Sequence, residues 1–329
     1  MPLPALLEGR LALPVIGSPM FIVSYLDLVL AQCRAGIVGA FPSLNAREPG
    51  EFERWLQRLS AELTDDDAPF AVNLIIHKGN QRLAEDLALC VKYKVPMVIT
   101  SLGARPEVND AIHGYGGVVF HDVINNRFAR KAIEKGADGL IAVAAGAGGH
   151  AGTLSPFALV QLIRNWFDGP LVLAGAIATG GAILAAQAMG ADLAYIGSAF
   201  IAAEEANAVE AYKQMILDCT GEDIVYTNVF TGIHGNYLRP AIAAAGLDPD
   251  NLSPIDRDPN DFRKPKAWRD VWASGHGIGA IRDAVGAATF IGRLREEYRA
   301  ARARLALPVI NYSNDAAPVV TVKSASERL

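Results

Sequence analysis

The chain has 329 residues, of which 51% are apolar and 20% are charged, a balance typical of a globular protein with a large core. Its formal net charge of -5 argues against nucleic acid or an anionic membrane as the main partner. The three cysteines are scattered and form neither a disulfide framework nor a metal motif, so a cytoplasmic location is expected.

An apolar stretch over residues 11–33 is long enough to resemble a transmembrane helix. Two prolines and a glycine interrupt it, and neither a basic region nor a cleavage site of a secretory leader is visible. We interpret the stretch as a strand over Leu13–Gly17, a turn over Ser18–Met20 and a helix that begins near Ser24. No membrane span is therefore expected.

Short apolar strands alternate with helices through the first two thirds of the chain. The predicted strands are Leu13–Gly17, Ile37–Phe41, Phe70–Ile75, Met97–Thr100, Gly117–His121, Gly139–Val143, Leu171–Ala174 and Leu193–Ile196. The predicted helices include Glu51–Leu63, Arg82–Lys92, Asn126–Lys135, Pro156–Trp166, Gly180–Met189 and an eighth helix from about Ala199 to Asp218. The strands are continuous apolar runs, which is typical of parallel strands covered by helices.

Eight strand–helix units of this kind predict an α/β fold, a (β/α)8 TIM barrel. A doubly wound open sheet is the alternative fold. It usually has fewer strands, and its phosphate-binding glycines lie in the first turn after a strand. Here the first turn, Ser18–Met20, contains no G-x-G-x-x-G motif, which favours the barrel.

The sequence changes in character after about Thr220, where five prolines fall among short helical pieces. This pattern predicts an inserted smaller, mainly helical substrate domain or lid near the C-terminus. A further helix over Ile278–Leu305 is expected to return to the barrel. The predicted boundaries are 1–218 and 289–305 for the barrel, 219–288 for the substrate domain and 306–329 for a flexible tail.

A glycine-rich motif, Gly146-Ala-Gly-Gly-His-Ala-Gly152, follows the sixth predicted strand. Glycines let a backbone approach a ligand closely because no Cβ intervenes. The histidine of the motif, His150, stands at a strand exit, where an α/β barrel places its chemistry. A lone histidine is more often structural, but the flanking glycines expose this one. As a neutral imidazole it could accept a proton from an acidic carbon, and as an imidazolium it could stabilise an anion.

Glycines also follow the seventh and eighth predicted strands, at Gly175 and Gly197. Barrels commonly bind a phosphate at these two strand ends, through backbone N–H groups and a helix N-terminus. Thr179 and Ser198 are the expected helix caps and additional phosphate donors. Each glycine alone could serve only a tight turn, but the pair favours a phosphate site.

Polar side chains at other strand ends allow two interpretations. Asn73 lies in an apolar strand, so its amide either bonds the backbone inside the barrel or recognises the edge of a heteroaromatic ring. His77, His121 and His150 could converge on a metal, but no H-x-H or H-x-x-x-H pair exists, and only Asp122 adds a carboxylate. A metal site is the less favoured interpretation, and no metal ligand is predicted.

Six segments follow one another in an order that resembles a known family. They are Pro14-Val-Ile-Gly-Ser-Pro-Met20, Ala35-Gly-Ile-Val-Gly39, Phe70-Ala-Val-Asn-Leu74, the glycine-rich motif, Leu171-Val-Leu-Ala-Gly-Ala-Ile177 and Ile196-Gly-Ser-Ala-Phe200. They are similar to P-I-I-Q-A-P-M, A-G-G-L-G, F-x-V-N-L, E-A-G-G-H-x-G, P-V-I-A-A-G-G-I and M-G-T-x-F of the nitronate monooxygenases, formerly called 2-nitropropane dioxygenases. The resemblance covers about residues 10–300, and the ordered set is specific although each segment alone is not.

The resemblance implies that FMN binds to the barrel without covalent attachment and that His150 is the catalytic histidine, a base or an anion-positioning group. It assigns cofactor contacts to Ser18, Pro19, Met20, Asn73, His121, Gly148, Gly149, Ala174, Gly175, Ala176, Gly197 and Ser198. His121 stands where some members place a flavin-contacting lysine. The segment Trp272–Ile278 resembles W-x-A-G-Q-G, which puts His276 at a position that faces substrate in the family.

Three departures from the family pattern affect the expected site. Gly17 replaces a common glutamine and is expected to remove a polar contact. Ala176 replaces the second glycine of the phosphate loop but still offers a backbone N–H. Ser198 replaces a threonine. The segment Asn228–Arg239 only loosely resembles the family's S-G-R-x-A-R, and His276 stands in place of a glutamine. Those positions face substrate in the family, so the departures leave the identity of the substrate open.

The function implied by the resemblance is FMN-dependent oxidation of alkyl nitronates or nitroalkanes by oxygen, which yields a carbonyl compound and nitrite. The alternative on the same fold is an NAD(P)H-dependent flavin reductase of quinones or enoyl thioesters. A flavin-binding protein without turnover is a third hypothesis. The expected partners are a small-molecule substrate and oxygen, with neither nucleic acid nor membrane, and the formation of a homo-oligomer is left open.

Overall fold

The computed structural model describes residues 3–252 and 267–306. In chain order its strands are β1 (Val15–Gly17), β2 (Gly39–Pro42), β3 (Phe70–Ile75), β4 (Met97–Ser101), β5 (Val118–Val123), β6 (Gly139–Val143), β7 (Gly149–His150), β8 (Leu171–Ala174), β9 (Leu193–Ile196), β10 (Ile224–Thr227) and β11 (Gly235–Leu238). Eight of them form one parallel sheet in the order β1-β9-β8-β6-β5-β4-β3-β2. A parallel bridge between Ile16 and Val38 joins its two end strands. The predicted (β/α)8 barrel is therefore confirmed.

Helices follow most barrel strands and cover the outside of the sheet. They are α1 (Leu26–Arg34), α2 (Glu51–Glu62), α3 (Leu83–Lys92), α4 (Pro106–His113), α5 (Asn126–Glu134), α6 (Pro156–Arg164), α7 (Gly180–Met189), α8 (Glu210–Asp218), α9 (Arg239–Ala244) and α10 (Ala287–Ala306). Short 3-10 helices span Ser43–Asn45, Ser198–Phe200, Gly221–Asp223 and His276–Ala280. Across the described residues, none of the helices has both the length and the apolar character needed to cross a membrane.

Two predicted helix starts are wrong, and one helix was not predicted. The eighth barrel helix, α8, begins at Glu210 rather than near Ala199. The intervening loop is tied elsewhere, because the Glu204 N–H donates to the Val285 carbonyl and Glu205 accepts from the Ala287 N–H. The C-terminal helix begins at Ala287 rather than Ile278, after a stretch whose glycines disfavour helix. The missed helix is α4.

Strand alternation sorts the core into an inner and an outer layer. Ile16, Met97 and Phe120 belong to the cluster that fills the barrel axis. Leu7 joins the same cluster, so the N-terminal segment closes one end of the barrel. Residues one position away in each strand, such as Val98, pack instead against the surrounding helices. This alternation decides which side chains at the strand ends point to the barrel axis and which point to the helices.

A small antiparallel sheet, in the order β10-β11-β7, lies beside the barrel's open end. Its third strand belongs to the glycine-rich motif, since His150 pairs with Gly235 and Gly149 pairs with Asn236. The sequence predicted helical pieces here but not this sheet. Residues 253–266 and 307–329, which fall in the predicted substrate domain and tail, lie outside the described residues.

Candidate active site

A large cavity of about 810 Å³ opens at the C-terminal ends of the barrel strands. His150 and every residue predicted to contact the cofactor line it. His276 does not, because its side chain is exposed and its backbone N–H donates to the Gly146 carbonyl at 2.9 Å. The fold thus brings together residues from positions 18 to 198 that the sequence had grouped only by motif. The roles of these residues remain predictions.

A chain of three polar side chains forms the inner wall of the cavity. Asn73, Ser101 and Asp122 lie on the neighbouring strands β3, β4 and β5, all facing inward. Asn73 Nδ2 donates to Ser101 Oγ at 2.8 Å and to the Ile99 carbonyl at 3.0 Å. Ser101 Oγ in turn donates to Asp122 Oδ2 at 2.5 Å. Because the Ile99 carbonyl can only accept, the amide of Asn73 is fixed with Oδ1 left as an acceptor.

Asp122 and Tyr195 were not among the predicted site residues, yet both line the cavity. Burial raises the pKa of Asp122 to about 6, although the Ser101 hydrogen bond works in the opposite direction. Burial and the nearby Asp122 carboxylate both raise the pKa of Tyr195, so its phenol stays protonated. Strand alternation puts Asp122 on the same face of β5 as Phe120, and the structure shows that this face points to the barrel axis.

His121 faces the opposite side of β5 from Asp122. Its Nδ1 lies 2.6 Å from Thr100 Oγ1, in the layer between sheet and helices. Burial lowers the pKa of His121 to about 4. At neutral pH it is therefore an uncharged imidazole, unlike the lysine that the resemblance places at this position.

His150 is held by the hairpin of the small sheet. Its Nε2 lies 2.9 Å from Thr231 Oγ1, and Thr231 Oγ1 donates to the Ile233 carbonyl at 2.9 Å. Since the threonine proton is used in that second bond, we assign the Nε2–H tautomer to His150, which leaves Nδ1 as the proton acceptor. Trp268 contacts the ring edge to face, with centroids 5.4 Å apart. Burial lowers the pKa of His150, so the neutral form is favoured.

The loops after β8 and β9 provide a backbone-lined end of the cavity. Ala176 has φ of 55°, the left-handed conformation that its glycine counterpart in the family adopts easily. Its N–H donates to the Gly146 carbonyl at 3.2 Å, so the expectation that this N–H is free for phosphate is wrong. Ser198 begins a 3-10 helix, whose first N–H groups have no partner within the helix. A Cβ at Gly197 would lie 3.0 Å from Ser18 Cβ, a tight contact, so glycine lets this loop approach the turn after β1 closely.

The N-terminus of α7 is already occupied by protein. Thr179 caps this helix by accepting from the Ala182 N–H at 3.2 Å, as predicted. Glu297 of α10 accepts from the Gly180 N–H at 2.7 Å, which puts a carboxylate at the positive end of the helix. A phosphate at this end of the barrel is therefore restricted to the loops around Gly175 and Ser198.

A segment of the added region, Ser274–Gly277, closes over the backbone-lined end. The Gly275 N–H donates to Ser198 Oγ at 2.8 Å, which leaves the serine proton available to a ligand. A Cβ at Gly275 would lie 2.6 Å from the Gly146 carbonyl oxygen, and one at Gly148 would lie 2.9 Å from the Gly275 nitrogen. The two segments can pack this closely only because both are glycine-rich.

Gly17 does not face the cavity. A Cβ built on Gly17 would lie 2.5 Å from Nε2 of Gln32, which is a buried residue of α1. The expectation that Gly17 removes a polar contact from the site is therefore wrong, because this position points into the layer between β1 and α1. The amide of Gln32 has no hydrogen-bond partner there among the described residues.

The predicted alternative of a metal site was tested on the same geometry. Across residues 3–252 and 267–306, no three histidine, cysteine or acidic side chains come close enough together to hold a metal ion. The three cysteines are all buried and free. In the part of the chain described, the side-chain groups that line the cavity include imidazole, carboxyl, phenol, amide, hydroxyl and ammonium groups.

Comparison with known proteins agrees with this arrangement. The sequence model of the nitronate monooxygenase family matches residues 60–245, more than half of the chain. A nitronate monooxygenase of Paraburkholderia phytofirmans is 28% identical over 289 residues, which cover 73% of this chain and 77% of that protein.

Two solved structures have the same fold. A nitroalkane oxidase from Streptomyces ansochromogenes superposes with a TM-score of 0.75 at 24% identity and covers 92% of this chain and 100% of that one. FabK from Thermotoga maritima superposes with a TM-score of 0.75 at 23% identity and covers 91% and 96% of the two chains. With the barrel, the cavity and the family match taken together, the chain belongs to the nitronate monooxygenase family and is an oxidoreductase.

Proposed function

We propose that the protein uses FMN and oxygen to oxidise alkyl nitronates or nitroalkanes to a carbonyl compound and nitrite. The single observation that carries the proposal is the placement of His150 on the wall of one cavity with the backbone-lined loops after β8 and β9. The family match and the nitronate monooxygenase of P. phytofirmans support the substrate class.

The residues present fit FMN at two points. The N–H groups at the start of the 3-10 helix and the hydroxyl of Ser198 suit a phosphate. Asn73 Oδ1 accepts no hydrogen bond from the described residues and suits an N–H on the edge of a heteroaromatic ring. When bound, FMN supplies the electron-accepting ring that the oxidation needs.

His150 would act on the substrate carbon through Nδ1. Its Nε2–H is held by Thr231, so the ring cannot rotate freely, and its lowered pKa keeps Nδ1 unprotonated at neutral pH. A neutral imidazole can accept a proton from the carbon beside a nitro group. After protonation, the same ring can hold the anionic nitro oxygens by charge.

We further propose that residues 219–288 act as the substrate domain. The support is the closure of Ser274–Gly277 over the barrel loops and the position of Thr231 and Trp268 beside His150. Both contacts make the site depend on this region.

The test is a reaction of purified protein with propyl-1-nitronate in air. We expect a yellow protein that releases FMN on denaturation, takes up oxygen and forms nitrite. His150→Ala should lower kcat by about 10²- to 10⁴-fold, the usual contribution of a general base. His234→Ala is the matched control, because His234 stacks on Tyr226 outside the cavity lining and its loss should leave kcat unchanged.

Two results would contradict the proposal. A yellow protein that neither consumes oxygen nor forms nitrite would exclude this substrate class. Rapid bleaching of the flavin by NADH or NADPH without oxygen would favour the reductase of quinones or enoyl thioesters instead.

A further inference from the structure

The cavity extends sideways from the barrel axis. Its lining includes Phe128, Lys131 and Ala132 of α5, together with Leu102–Ala104 and Ile124 from the loops after β4 and β5. Because α5 packs on the outside of the sheet, these residues form an extension beyond the strand ends, named here the side arm. None of them belongs to the proposed cofactor contacts.

The wall of the side arm is apolar and uncovered. Leu102, Ile124 and Phe128 are 43%, 38% and 39% exposed, although each is a large apolar side chain. Contiguous exposed apolar side chains beside a cavity are typical of ligand contact. Leu102 also has φ of 60°, a conformation that a leucine adopts only at a cost in energy. The loop after β4 therefore holds an apolar side chain toward the side arm against its local preference.

Lys131 gives the side arm a charge. Among the described residues that line the cavity, it is the only lysine or arginine. No carboxylate of the described residues forms an ion pair with Lys131, whereas the guanidinium of neighbouring Arg130 lies over the Trp166 ring at 4.3 Å. Asp122, the carboxyl group of the same cavity, lies on the opposite side of β5 from this arm.

We propose that the side arm selects substrates whose apolar chain ends in an anion, with Lys131 as the residue that determines this specificity. The apolar wall takes the chain, and the Lys131 ammonium pairs with a terminal carboxylate or phosphate. This inference rests on the proposed oxidation of nitronates, because the reacting carbon must lie near His150 while the far end reaches α5.

The experiment compares three nitronates with chains of equal length, those of 1-nitrooctane, 8-nitrooctanoate and 8-nitrooctyl phosphate. Wild-type protein should show the higher kcat/KM with at least one anionic substrate. Lys131→Gln should lower kcat/KM for that substrate by about two- to fivefold, as expected for an ion pair that is partly open to water. It should leave 1-nitrooctane unchanged. The rates with 8-nitrooctanoate and 8-nitrooctyl phosphate identify which anion the side arm takes.

Two variants control the comparison. Arg130→Gln removes the same charge one residue away and should change none of the three rates, since Arg130 does not line the cavity. Phe128→Ala should weaken all three octyl substrates while leaving the nitronate of nitroethane, which is too short to enter the side arm, unchanged. An equal loss for neutral and anionic substrates in Lys131→Gln, or the same loss in Arg130→Gln, would overturn the inference.

Binding separates this inference from the proposed function. Octanoate and octyl phosphate are titrated into wild-type protein and Lys131→Gln by calorimetry. Weaker binding of at least one of them to the variant supports the side arm even if no nitronate is turned over. Equal binding of both anions to the two proteins, or no binding to either, contradicts it whatever the turnover shows.

Discussion

Thr231 decides which nitrogen of His150 is free to act. The threonine hydroxyl cannot donate to both the histidine and the Ile233 carbonyl, so its proton assignment fixes the tautomer of the ring. Nothing in the local sequence around His150 shows this, because the two residues are 81 positions apart. Under the proposed role of His150, Thr231 is thus a positioning residue that acts through the histidine.

Replacing Thr231 by valine should lower kcat by about tenfold, the value of one hydrogen bond at the proposed catalytic histidine. KM should change little, and the pH profile of kcat should shift because the ring loses the partner of its Nε2–H. Thr231→Ser keeps the acceptor and should retain activity. Steady-state rates with propyl-1-nitronate between pH 6 and 9 give kcat, KM and the pH profile of each variant. Wild-type behaviour of Thr231→Val would show that the tautomer assignment is wrong.

Asp122 should make stability depend on pH. Its pKa is about 6 in the fold against 3.8 in the unfolded chain, because burial disfavours the charged form. A raised carboxyl pKa adds stability that is complete below the unfolded value and is lost as pH rises through the folded value. Asp122→Asn keeps an oxygen for the Ser101 hydrogen bond but cannot titrate. Relative to this variant, the free energy of unfolding of the wild type should fall by about 1–3 kcal/mol between pH 4 and pH 7.

Urea unfolding of the ligand-free proteins at several pH values measures this difference. Asp66→Asn, at an exposed surface position, controls for the loss of one carboxylate. A constant difference between wild type and Asp122→Asn across this range would show that Asp122 is not the titrating group.

At the scale of elements, the contact of α7 with α10 depends on one missing side chain. A Cβ at Gly180 would overlap backbone atoms of Leu294 and Tyr298, so glycine is what allows the two helices to cross here. The same contact places Glu297 on the N-terminus of α7. α10 therefore packs against the barrel wall, and its Glu297 takes the place that an anion could occupy at the N-terminus of α7.

Two glycine-to-alanine variants test this crossing. Gly180→Ala should lower the free energy of unfolding by about 1–3 kcal/mol, the usual cost of overpacking. Gly292→Ala lies in the middle of α10 with no atom within 4 Å of its Cβ, and it should raise the free energy of unfolding by about 1 kcal/mol. Denaturant titration of both variants gives the comparison, and equal effects would contradict the crossing.

At the scale of the whole molecule, barrel and added region build the site together. The barrel supplies the inward polar chain from Asn73 to Asp122 and the loops after β8 and β9. The added region supplies Thr231 and the Ser274–Gly277 segment that closes on them. The glycine-rich motif connects the two, because it follows β6 of the barrel and contains β7 of the small sheet.

The sequence by itself determined the order of the barrel elements and the loops that carry the candidate site. β3, β6, β8, β9 and α7 have the predicted bounds. Short continuous apolar runs specify buried parallel strands, and a glycine after the last apolar residue ends a helix such as α7. The motifs also marked the strand ends that share one cavity, because a barrel brings all such ends to one face. Local pattern is sufficient for these features because each depends on residues close together in the chain.

Only the tertiary structure decided which way the polar side chains face and what they contact. Asp122 rather than His121 faces the barrel axis, and Gly17 faces α1 rather than the cavity. Thr231 contacts His150, and Glu297 of α10 binds the N-terminus of α7. These contacts, like the side arm that Lys131 lines, join residues distant in sequence. Such contacts follow from strand register and helix packing, which set distances between segments that no local pattern encodes.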